Sequence, residues 1–454
     1  MAGAGQVRRV GPDQVSLGVL ATVIDRAVVD RAVAAHGVGA RRRDGKLPPH
    51  VMAYLVMGLC LFSDDDYEEV ARKVTGSLDD WGCWDASWSA PSASGITQAR
   101  KRLGWEMMRD VFESVASPIA GQPHPLARTL ASGPMRGAFL RSWRLMAIDG
   151  FDVDVPDTPG NVEEFGYSGS GETRSVFPKI RVVALAECGT HAMVAAEVEG
   201  INVSENELGG RLFGRLRPDD LLTADRNFYS FHDWCYAART GAQLLWRAPT
   251  QLRLPVLAVL EDGTYLSVVV ESSLRGKRRE QIVQAARDTT GELEAATAAG
   301  AEGVGRDLHE AFCVGLTESG IDPETARLVR VVEYDVPDRE GNGSGELIVL
   351  LSTITDSDAA RADELAGAYH QRWEQETAHD QLKTHLRGPG KILRSRLPDL
   401  ARQEVWAWLT VHYAISVLIA RAAQAVPIDP DRISYLDALR IIRRGATGSA
   451  AFPP

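Results

Sequence analysis

The succession of short apolar runs between residues 143 and 247 constrains the fold of this chain more than any other feature. Five segments have the length and bounding residues of strands, and two others predict helices. In chain order they are "WRLMAIDG", "KIRVVALAEC" and "HAMVAAEVEG" (strands), "SENELGGRLFGRL" (helix), "DDLLTADRNF" (strand), "FHDWCYAART" (helix) and "AQLLWRA" (strand). The turn Gly189-Thr190 makes the second and third strands an antiparallel pair. This order predicts a mixed α/β sheet.

The flanking regions differ in texture. Up to about residue 140, apolar residues recur at helical spacing, which predicts a helical domain and then a linker. The last of these helices, "SGITQARKRLGWEMMRDVFESVA", has Ser94 or Thr97 as its cap. Residues 251–345 predict a β-rich insertion, with one hairpin around Asp262-Gly263 and a second ending in "ELIVLLSTI". "RADELAGAYHQRWEQETAHDQLKTHL" predicts one long helix, and the end of the chain predicts a weakly ordered tail.

The cellular compartment follows from apolar stretches and cysteines. No charged segment followed by an apolar run opens the chain, so no signal peptide is predicted. The run Val405–Ala420 is interrupted by polar residues and is shorter than the roughly 20 residues of a membrane span, so we expect a buried core helix. The five scattered cysteines fit neither a disulfide framework nor a zinc site. We therefore expect a cytoplasmic protein without a membrane partner.

Charge gives an ambiguous signal about nucleic acid. The net charge of -11 argues against such a partner, but binding depends on where the bases cluster. Clusters occur at residues 41–46, 100–104, 275–280 and 383–396. Any one of them is explained by a solvated surface. "ASGITQARKRL" is the best candidate for a helix that contacts DNA.

Acidic residues end two of the predicted strands. Asp149 follows "WRLMAI" and Asp225 follows "LLTA". Carboxylates at neighbouring strand ends bind hard cations such as Mg²⁺, although a single such aspartate is more often a cap or a turn residue. Asp152, Asp154 and Asp157 compete with Asp149, but they follow the predicted strand instead of ending it.

The segment "YHQRWEQETAHDQLK" supplies further acids. On an ideal α-helix, Tyr369, Arg372, Glu376 and Lys383 lie within roughly 60° of one another around the axis. Glu374 lies on roughly the opposite side. That face offers one carboxylate together with bases able to hold phosphate.

The spacing Tyr369-x2-Arg372-x3-Glu376-x6-Lys383 resembles the signature of bacterial transposases of the insertion sequence four family. "AIDGFDVDVPDTPGN" and "LLTADRNFYSF" resemble the segments that carry the first and second catalytic aspartates of that family. The resemblance covers roughly residues 20 to 425. It implies an RNase H-like catalytic domain at 141–250 and 346–425, interrupted by the insertion at 251–345. A helical DNA-binding domain with its linker would occupy 1–140, and a tail 426–454.

The resemblance also implies residue roles. Asp149, Asp225 and Glu376 would hold two Mg²⁺ ions, with Mn²⁺ as a substitute, while Tyr369, Arg372 and Lys383 would hold transposon-end DNA. The reaction would be hydrolysis at the element's terminal inverted repeats, followed by attack of the freed 3′-hydroxyl on target DNA. We expect a homodimer, because two ends must be joined, in the cytoplasm and associated with the nucleoid.

One departure and two alternatives stay open at this stage. Family members that form hairpin ends stack a flipped base on a tryptophan of the insertion, and residues 251–345 contain none. Tyr265, Phe312, Tyr334 or Trp246 could replace it. A host-adopted DNA-binding relative and another RNase H-like nuclease are the alternative functions. The intact triad argues against the first, and the N-terminal domain with Lys383 argues against the second.

Overall fold

The structure, a computed structural model, describes residues 17–38, 47–76, 90–121, 135–298, 308–336 and 345–447, with the backbone alone at 292–298. The basic cluster at 41–46 and most of the predicted linker lie outside these residues. The helices are α1 (Arg26–Ala35), α2 (Pro49–Leu61), α3 (Tyr67–Gly76), α4 (Ala93–Leu103), α5 (Glu106–Val115), α6 (Pro159–Phe165), α7 (Glu205–Leu212), α8 (Phe231–Ala238), α9 (Gly276–Ala298), α10 (Leu308–Glu318), α11 (Ala362–His370), α12 (Trp373–Asp380), α13 (Pro398–Ala425) and α14 (Tyr435–Thr447).

The strands follow the order that the sequence predicts. They are β1 (Phe139–Leu140), β2 (Trp143–Asp154), β3 (Lys179–Glu187), β4 (Ala192–Gly200), β5 (Asp220–Ala224), β6 (Gln243–Arg247), β7 (Ala258–Val259), β8 (Tyr265–Val270), β9 (Ala326–Val336) and β10 (Glu346–Ser352). The chain divides into two compact units. The first contains Met1–Ala120, Gly150–Ser204 and Glu376–Pro454, and the second contains Gly121–Asp149 and Glu205–Gln375.

The first unit has a helical core around α13. This helix begins at Pro398, whose missing N–H costs nothing at a helix start, and residues 405–420 are buried on nearly every side. Among the described residues it is the helix long and apolar enough to cross a membrane, but 78% of its most apolar window is buried inside the protein. Phe112 of α5 packs on Trp406 with ring centroids 5.6 Å apart. The segment is therefore a core helix, as the sequence predicts.

The same unit contains two departures from the predicted helices. The segment predicted as one helix from Ser94 is divided at Gly104, whose φ of 78° is readily adopted by glycine alone. Its cap is Ser92, neither Ser94 nor Thr97, and the Ser92 side chain accepts a hydrogen bond from the backbone N–H of Gly95. The predicted disorder of the tail is wrong for 435–447, because α14 buries Tyr435, Leu439 and Ile442.

The second unit contains both parallel and antiparallel strand pairs. β2, β5 and β6 are parallel neighbours, and β6 continues through antiparallel β10, β9, β8 and β7. In the first unit, β3 and β4 are an antiparallel pair, and β3 lies beside β2. The partial orders β4-β3-β2 and β2-β5-β6 are those of an RNase H-like sheet. The predicted mixed α/β fold is confirmed.

The insertion contains more helix than the sequence indicates. Both predicted hairpins are present, with Ala258 paired to Leu266 and Leu350 paired to Val332. Between them lie α9 and α10, which were not predicted. Ile282 and Phe312 from these helices are buried in a small core with Leu266 and Val268 of β8. The insertion is thus an α/β element with its own apolar core.

Candidate active site

Two acids lie side by side at the carboxyl end of the parallel β2–β5 ladder. The register pairs Ile148 with Ala224, the last partners of this parallel ladder, so Asp149 and Asp225 are the next residues of both strands. Neighbouring strands are about 5 Å apart, which brings the two residues within reach of a common ligand. Asp149 and Asp225 are both half-buried. Ligands bind at this edge of parallel sheets.

The two strand ends differ from the sequence prediction in detail. β2 does not end at Asp149 but continues to Asp154, and its pairing with β5 is what ends there. Asp225 is a cap as well as a candidate ligand, because its Oδ1 accepts the backbone N–H of Arg226 at 2.8 Å and begins a short 3₁₀ turn. Capping leaves the second oxygen of that carboxylate for other chemistry.

A third charged residue occupies the same row. Ala224 pairs with Trp246, so Arg247 at the end of β6 follows in register after Asp149 and Asp225. Arg247 forms an ion pair with Glu346, and its side chain is 17% exposed. The sequence analysis missed this residue, although "QLLWR" ends in a charge just as the other two strands do.

Arg372 and Tyr369 lie next to these acids. The Arg372 guanidinium is 4.0 Å from the Asp149 carboxylate and lies over the rings of Tyr369 and Trp373, at 5.9 Å and 5.3 Å from their centroids. Burial raises the pKa of the Tyr369 phenol to about 12; the positive charge of Arg372 lowers it and the negative charge of Asp225 raises it. Tyr369 is therefore protonated at neutral pH and able to donate a hydrogen bond.

The hairpin turn of the insertion anchors the helix that carries Tyr369. Asp262 Oδ2 accepts the backbone N–H of Ala362, the first residue of α11, at 2.8 Å. The same carboxylate forms an ion pair with the fully buried Arg330. A negative charge at a helix N-terminus is favourable, so the Asp-Gly turn that the sequence identifies as a hairpin also fixes the start of α11.

The predicted long helix is not continuous. The angles given for Tyr369, Arg372, Glu376 and Lys383 on one ideal α-helix therefore do not apply. Residues 371 and 372 form a turn between α11 and α12, where the N–H of Arg372 bonds to Tyr369 O. Gln381–Leu386 is π-helical, so Lys383 does not follow the α-helical period. Within the first unit, the Lys383 ammonium lies 5.8 Å from the Phe151 ring centroid. Glu376 is exposed and Glu374 is half-buried.

The acids that compete with Asp149 have other partners. Arg181 Nε lies 3.2 Å from Asp152 Oδ1, and Lys179 Nζ lies 2.8 Å from Asp154 Oδ1. Asp157 Oδ1 accepts the Tyr167 hydroxyl at 2.8 Å. These contacts account for all three acids without any ligand, which favours Asp149 as the first acid of the site.

Two of the four aromatic candidates for base stacking are core residues. Trp246 and Phe312 have no exposed surface, and Trp246 packs on Phe213 and Trp234 with centroids 5.1 Å and 5.3 Å away. Tyr265 and Tyr334 are half-buried. Tyr334 packs on His370 at 5.9 Å, one residue beyond Tyr369. A flipped base would have Tyr265 or Tyr334 as its platform.

Two arginines from the basic clusters predicted to face DNA have structural roles instead. Arg100 of α4 is fully buried, and its guanidinium donates to Gln403 Oε1, the Tyr67 hydroxyl and Leu400 O at 2.9, 2.7 and 2.9 Å. Arg394 donates to the backbone oxygens of Asp65 and Ser63. These cations hold together parts of the first unit. The exposed basic side chains of α4 are Lys101 and Arg102.

Comparison with known proteins identifies the family of this chain. Residues 14–113 match the family described as insertion element 4 transposase N-terminal, and residues 143–414 match the transposase DDE domain. The transposase InsG for insertion sequence element IS4 of Escherichia coli K12 is 24% identical over 432 residues, covering 94% of this chain and 82% of that protein. The putative transposase InsZ of the same organism is 26% identical over 218 residues, 48% of this chain and 65% of InsZ.

A comparison with solved structures gives a further similarity. The piggyBac transposase in a synaptic complex with hairpin DNA matches 99% of this chain and 82% of its own, with a TM-score of 0.46 and 10% identity. The DDE domain match alone covers more than half of the chain and includes β2, β5 and α12. The chain belongs to the DDE transposases of the insertion sequence four family and is a metal-dependent DNA transposase.

Proposed function

We propose that this transposase hydrolyses DNA at the terminal inverted repeats of its element and then joins the freed 3′-hydroxyl groups to target DNA. The observation that carries the proposal is the row of Asp149 and Asp225 on neighbouring parallel strands, with Arg372 4.0 Å from Asp149. Paired carboxylates beside a buried cation suit phosphoryl transfer, in which charge develops on the oxygens of a phosphodiester.

The proposed ion ligands are Asp149, Asp225 and Glu376, with Mg²⁺ as the physiological ion, two ions per site, and Mn²⁺ as a substitute. Two adjacent half-buried carboxylates are the oxygen donors that Mg²⁺ prefers. When bound, such ions stabilise charge on the attacking and leaving oxygens of the phosphodiester. The assignment of Glu376 rests on its position in the family signature.

Tyr369, Arg372 and Lys383 are proposed to hold the transposon end. The protonated Tyr369 phenol donates a hydrogen bond, and the Arg372 guanidinium offers several N–H donors to phosphate oxygens. Arg372 also offsets the charge of Asp149. Lys383 acts as a point charge on a neighbouring phosphate.

Recognition of the end is proposed to come largely from residues 1–140, with 141–250 and 346–425 as the catalytic domain, 251–345 as the insertion and 426–454 as the C-terminal segment. On α4, the exposed Lys101 and Arg102 replace the buried Arg100 as candidate DNA contacts. We expect salt-sensitive binding that favours the element's own ends. Equal affinity for random duplex at every salt concentration refutes this part.

The proposed active form is a homodimer, in the cytoplasm and associated with the nucleoid, because cut-and-paste transfer joins two ends at once. The mass of the complex on paired ends, measured by analytical ultracentrifugation, checks the assembly. A fully active monomer contradicts it. Fractionation of lysed cells checks the localisation, which fails if the protein leaves the DNA-containing fraction at low salt.

Glu376→Gln tests the proposal most sharply, with Glu374→Gln as its matched control. Glutamine keeps the size of the side chain but removes the charge that a hard cation requires. The substrate is a labelled duplex carrying the inverted repeat that flanks the gene, nicked in Mg²⁺ and assayed beside a gel shift. Glu376→Gln is expected to bind the duplex and lose nicking by roughly three orders of magnitude or more.

Glu374→Gln is expected to nick nearly normally, because Glu374 does not belong to the proposed set of ion ligands. Nicking by Glu376→Gln with loss in Glu374→Gln removes Glu376 from the site. Binding of the repeat without nicking by the unaltered protein favours the alternative of a DNA-binding relative. Nicking without preference for the repeat favours the other alternative, a nuclease of the same fold.

A further inference from the structure

A cluster of cations lies at the start of α9, in the insertion and outside the proposed active site. It comprises Arg275, Lys277, Arg278 and Arg279, together with Arg253, and is called the α9 patch below. Arg279 Nη2 donates to the backbone oxygen of Arg253 at 3.3 Å, which joins the two segments. Arg279 is half-buried, and the other four residues are exposed.

These cations have no acidic partner in the described parts of the chain. Their recorded contacts are to backbone oxygens, Arg278 to Gly320 at 3.2 Å and Arg279 to Arg253. Elsewhere in the same unit, Arg239 and Arg327 both pair with Glu324. The whole chain has 61 acids for 50 lysines and arginines, so acids are abundant. The α9 patch is therefore a set of solvated positive charges left for another partner.

The charge of the patch acts on the loop that follows Asp225. Burial raises the pKa of the Tyr229 phenol well above its ordinary value, and the positive charge of Arg279 opposes that rise. Tyr229 lies four residues beyond Asp225, and the exposed Arg226 lies between them. Exposed cations thus occur both in this loop and in the α9 patch, and clustered positive charge attracts a polyanion over a long distance.

We propose that the α9 patch binds the phosphate backbone of duplex DNA outside the proposed active site. This rests on the proposed function, because the acids at the strand ends define where the DNA is cut. Duplex DNA supplies closely spaced phosphates, and solvated lysines and arginines exchange their counterions for them with a gain that falls as salt rises. The shared chemistry is the duplex backbone, whether it belongs to the element's end, to flanking DNA or to target DNA.

The test is the salt dependence of binding by the full chain with Arg275→Gln, Lys277→Gln and Arg278→Gln combined. Each phosphate contact contributes about 0.9 to the slope of log K against log salt concentration. The triple variant is expected to reduce that slope by roughly 2 to 3 on at least one of three duplexes. These are the end alone, the end with flanking DNA, and an unrelated target duplex, and the one affected identifies the source.

Two controls test whether the effect depends on the charge of these side chains and on their position in the α9 patch. The charge-retaining combination Arg275→Lys, Lys277→Arg and Arg278→Lys is expected to keep the original slope. Arg287→Gln removes an exposed cation about 14 Å further along the helix axis from Arg278 and is expected to have less effect than Arg275→Gln. Equal effects of Arg287→Gln and Arg275→Gln overturn the assignment to this patch.

Asp149→Asn distinguishes this inference from the proposed function. It is expected to abolish nicking and to keep the salt slope of the unaltered protein. Normal nicking by Asp149→Asn contradicts the proposed active site, while the salt dependence of binding still tests the α9 patch. An unchanged slope of the glutamine triple on all three duplexes overturns the patch, whatever the nicking activity.

Discussion

The two ends of the β2–β5 ladder hold the same kinds of residue in opposite settings. At the amino end, Arg144 pairs in register with Asp220, and the side chains are 6% and 4% exposed. At the carboxyl end, Asp149 and Asp225 lie side by side, and Arg372 reaches them from the segment after α11. Asp149 is 24% exposed. One end is closed and the other is open to a ligand.

The electrostatic state of the two ends also differs. Burial raises the pKa of Asp220 to about 6, with Asp219 adding to the rise and the Arg217 N–H and Arg144 opposing it. That carboxyl is costly to ionise and has a structural role. At the carboxyl end, Asp225 keeps one oxygen on a backbone N–H, and the Arg372 guanidinium lies 4.0 Å from the Asp149 carboxylate. A pair of partly exposed acids at a strand end fits a cation-binding site better than a buried ion pair does.

Replacing the arginine at each end by glutamine is expected to give the largest difference in nicking activity between the two ends. Arg372→Gln removes the cation beside Asp149 and is expected to lower nicking by about 10²–10³-fold, as for other groups that stabilise developing charge. Arg144→Gln is expected to leave nicking intact and to reduce the free energy of unfolding, because Asp220 loses its cation. Nicking rates at saturating Mg²⁺ and urea melts distinguish the two. Equal loss of nicking in both variants contradicts the proposed difference between the two ends.

A smaller effect is expected from the pH dependence of Asp220→Asn. The folded-state pKa of Asp220, about 6, lies above its ordinary value of 3.8. Its contribution to stability is therefore fully present below about pH 4 and is lost as pH rises through 6. Asp220→Asn is expected to be more stable than the unaltered protein at pH 8 by about 3 kcal/mol, and to lose that advantage at pH 4. Denaturant melts at both values check this, and a constant difference contradicts it.

The sequence predicts the strand order and both aspartates because these depend on local patterns. A buried run followed by an acid is visible in "LMAID" and "LLTAD". The continuation of β2 is also visible in the sequence, since Phe151 and Val153 alternate with Asp152 and Asp154, but these acids were predicted to follow the strand. Arg247 was missed for a related reason, because only the register shows that β6 ends in the same row.

Other features depend on contacts distant in the chain. Arg100 is buried because it bonds to Gln403, 303 residues away, and nothing near "QARKRL" indicates this. The turn at 371–372 and the π-helical segment at 381–386 contain no glycine or proline, so the break in the predicted long helix has no local signal. The α9 patch appears in the sequence as an ordinary basic run. That no acid of the described residues pairs with it is visible only in the folded chain.

Direct binding of a divalent ion tests the central claim, that the carboxyl end of the β2–β5 ladder is the active site. Mn²⁺ titrated into the full chain is followed by the electron paramagnetic resonance signal of the free ion, without DNA. The account predicts that Asp149→Asn and Asp225→Asn each weaken binding by at least about tenfold, whereas Asp220→Asn binds as the unaltered protein does. Unchanged binding in Asp149→Asn and Asp225→Asn, or loss in Asp220→Asn, contradicts the account.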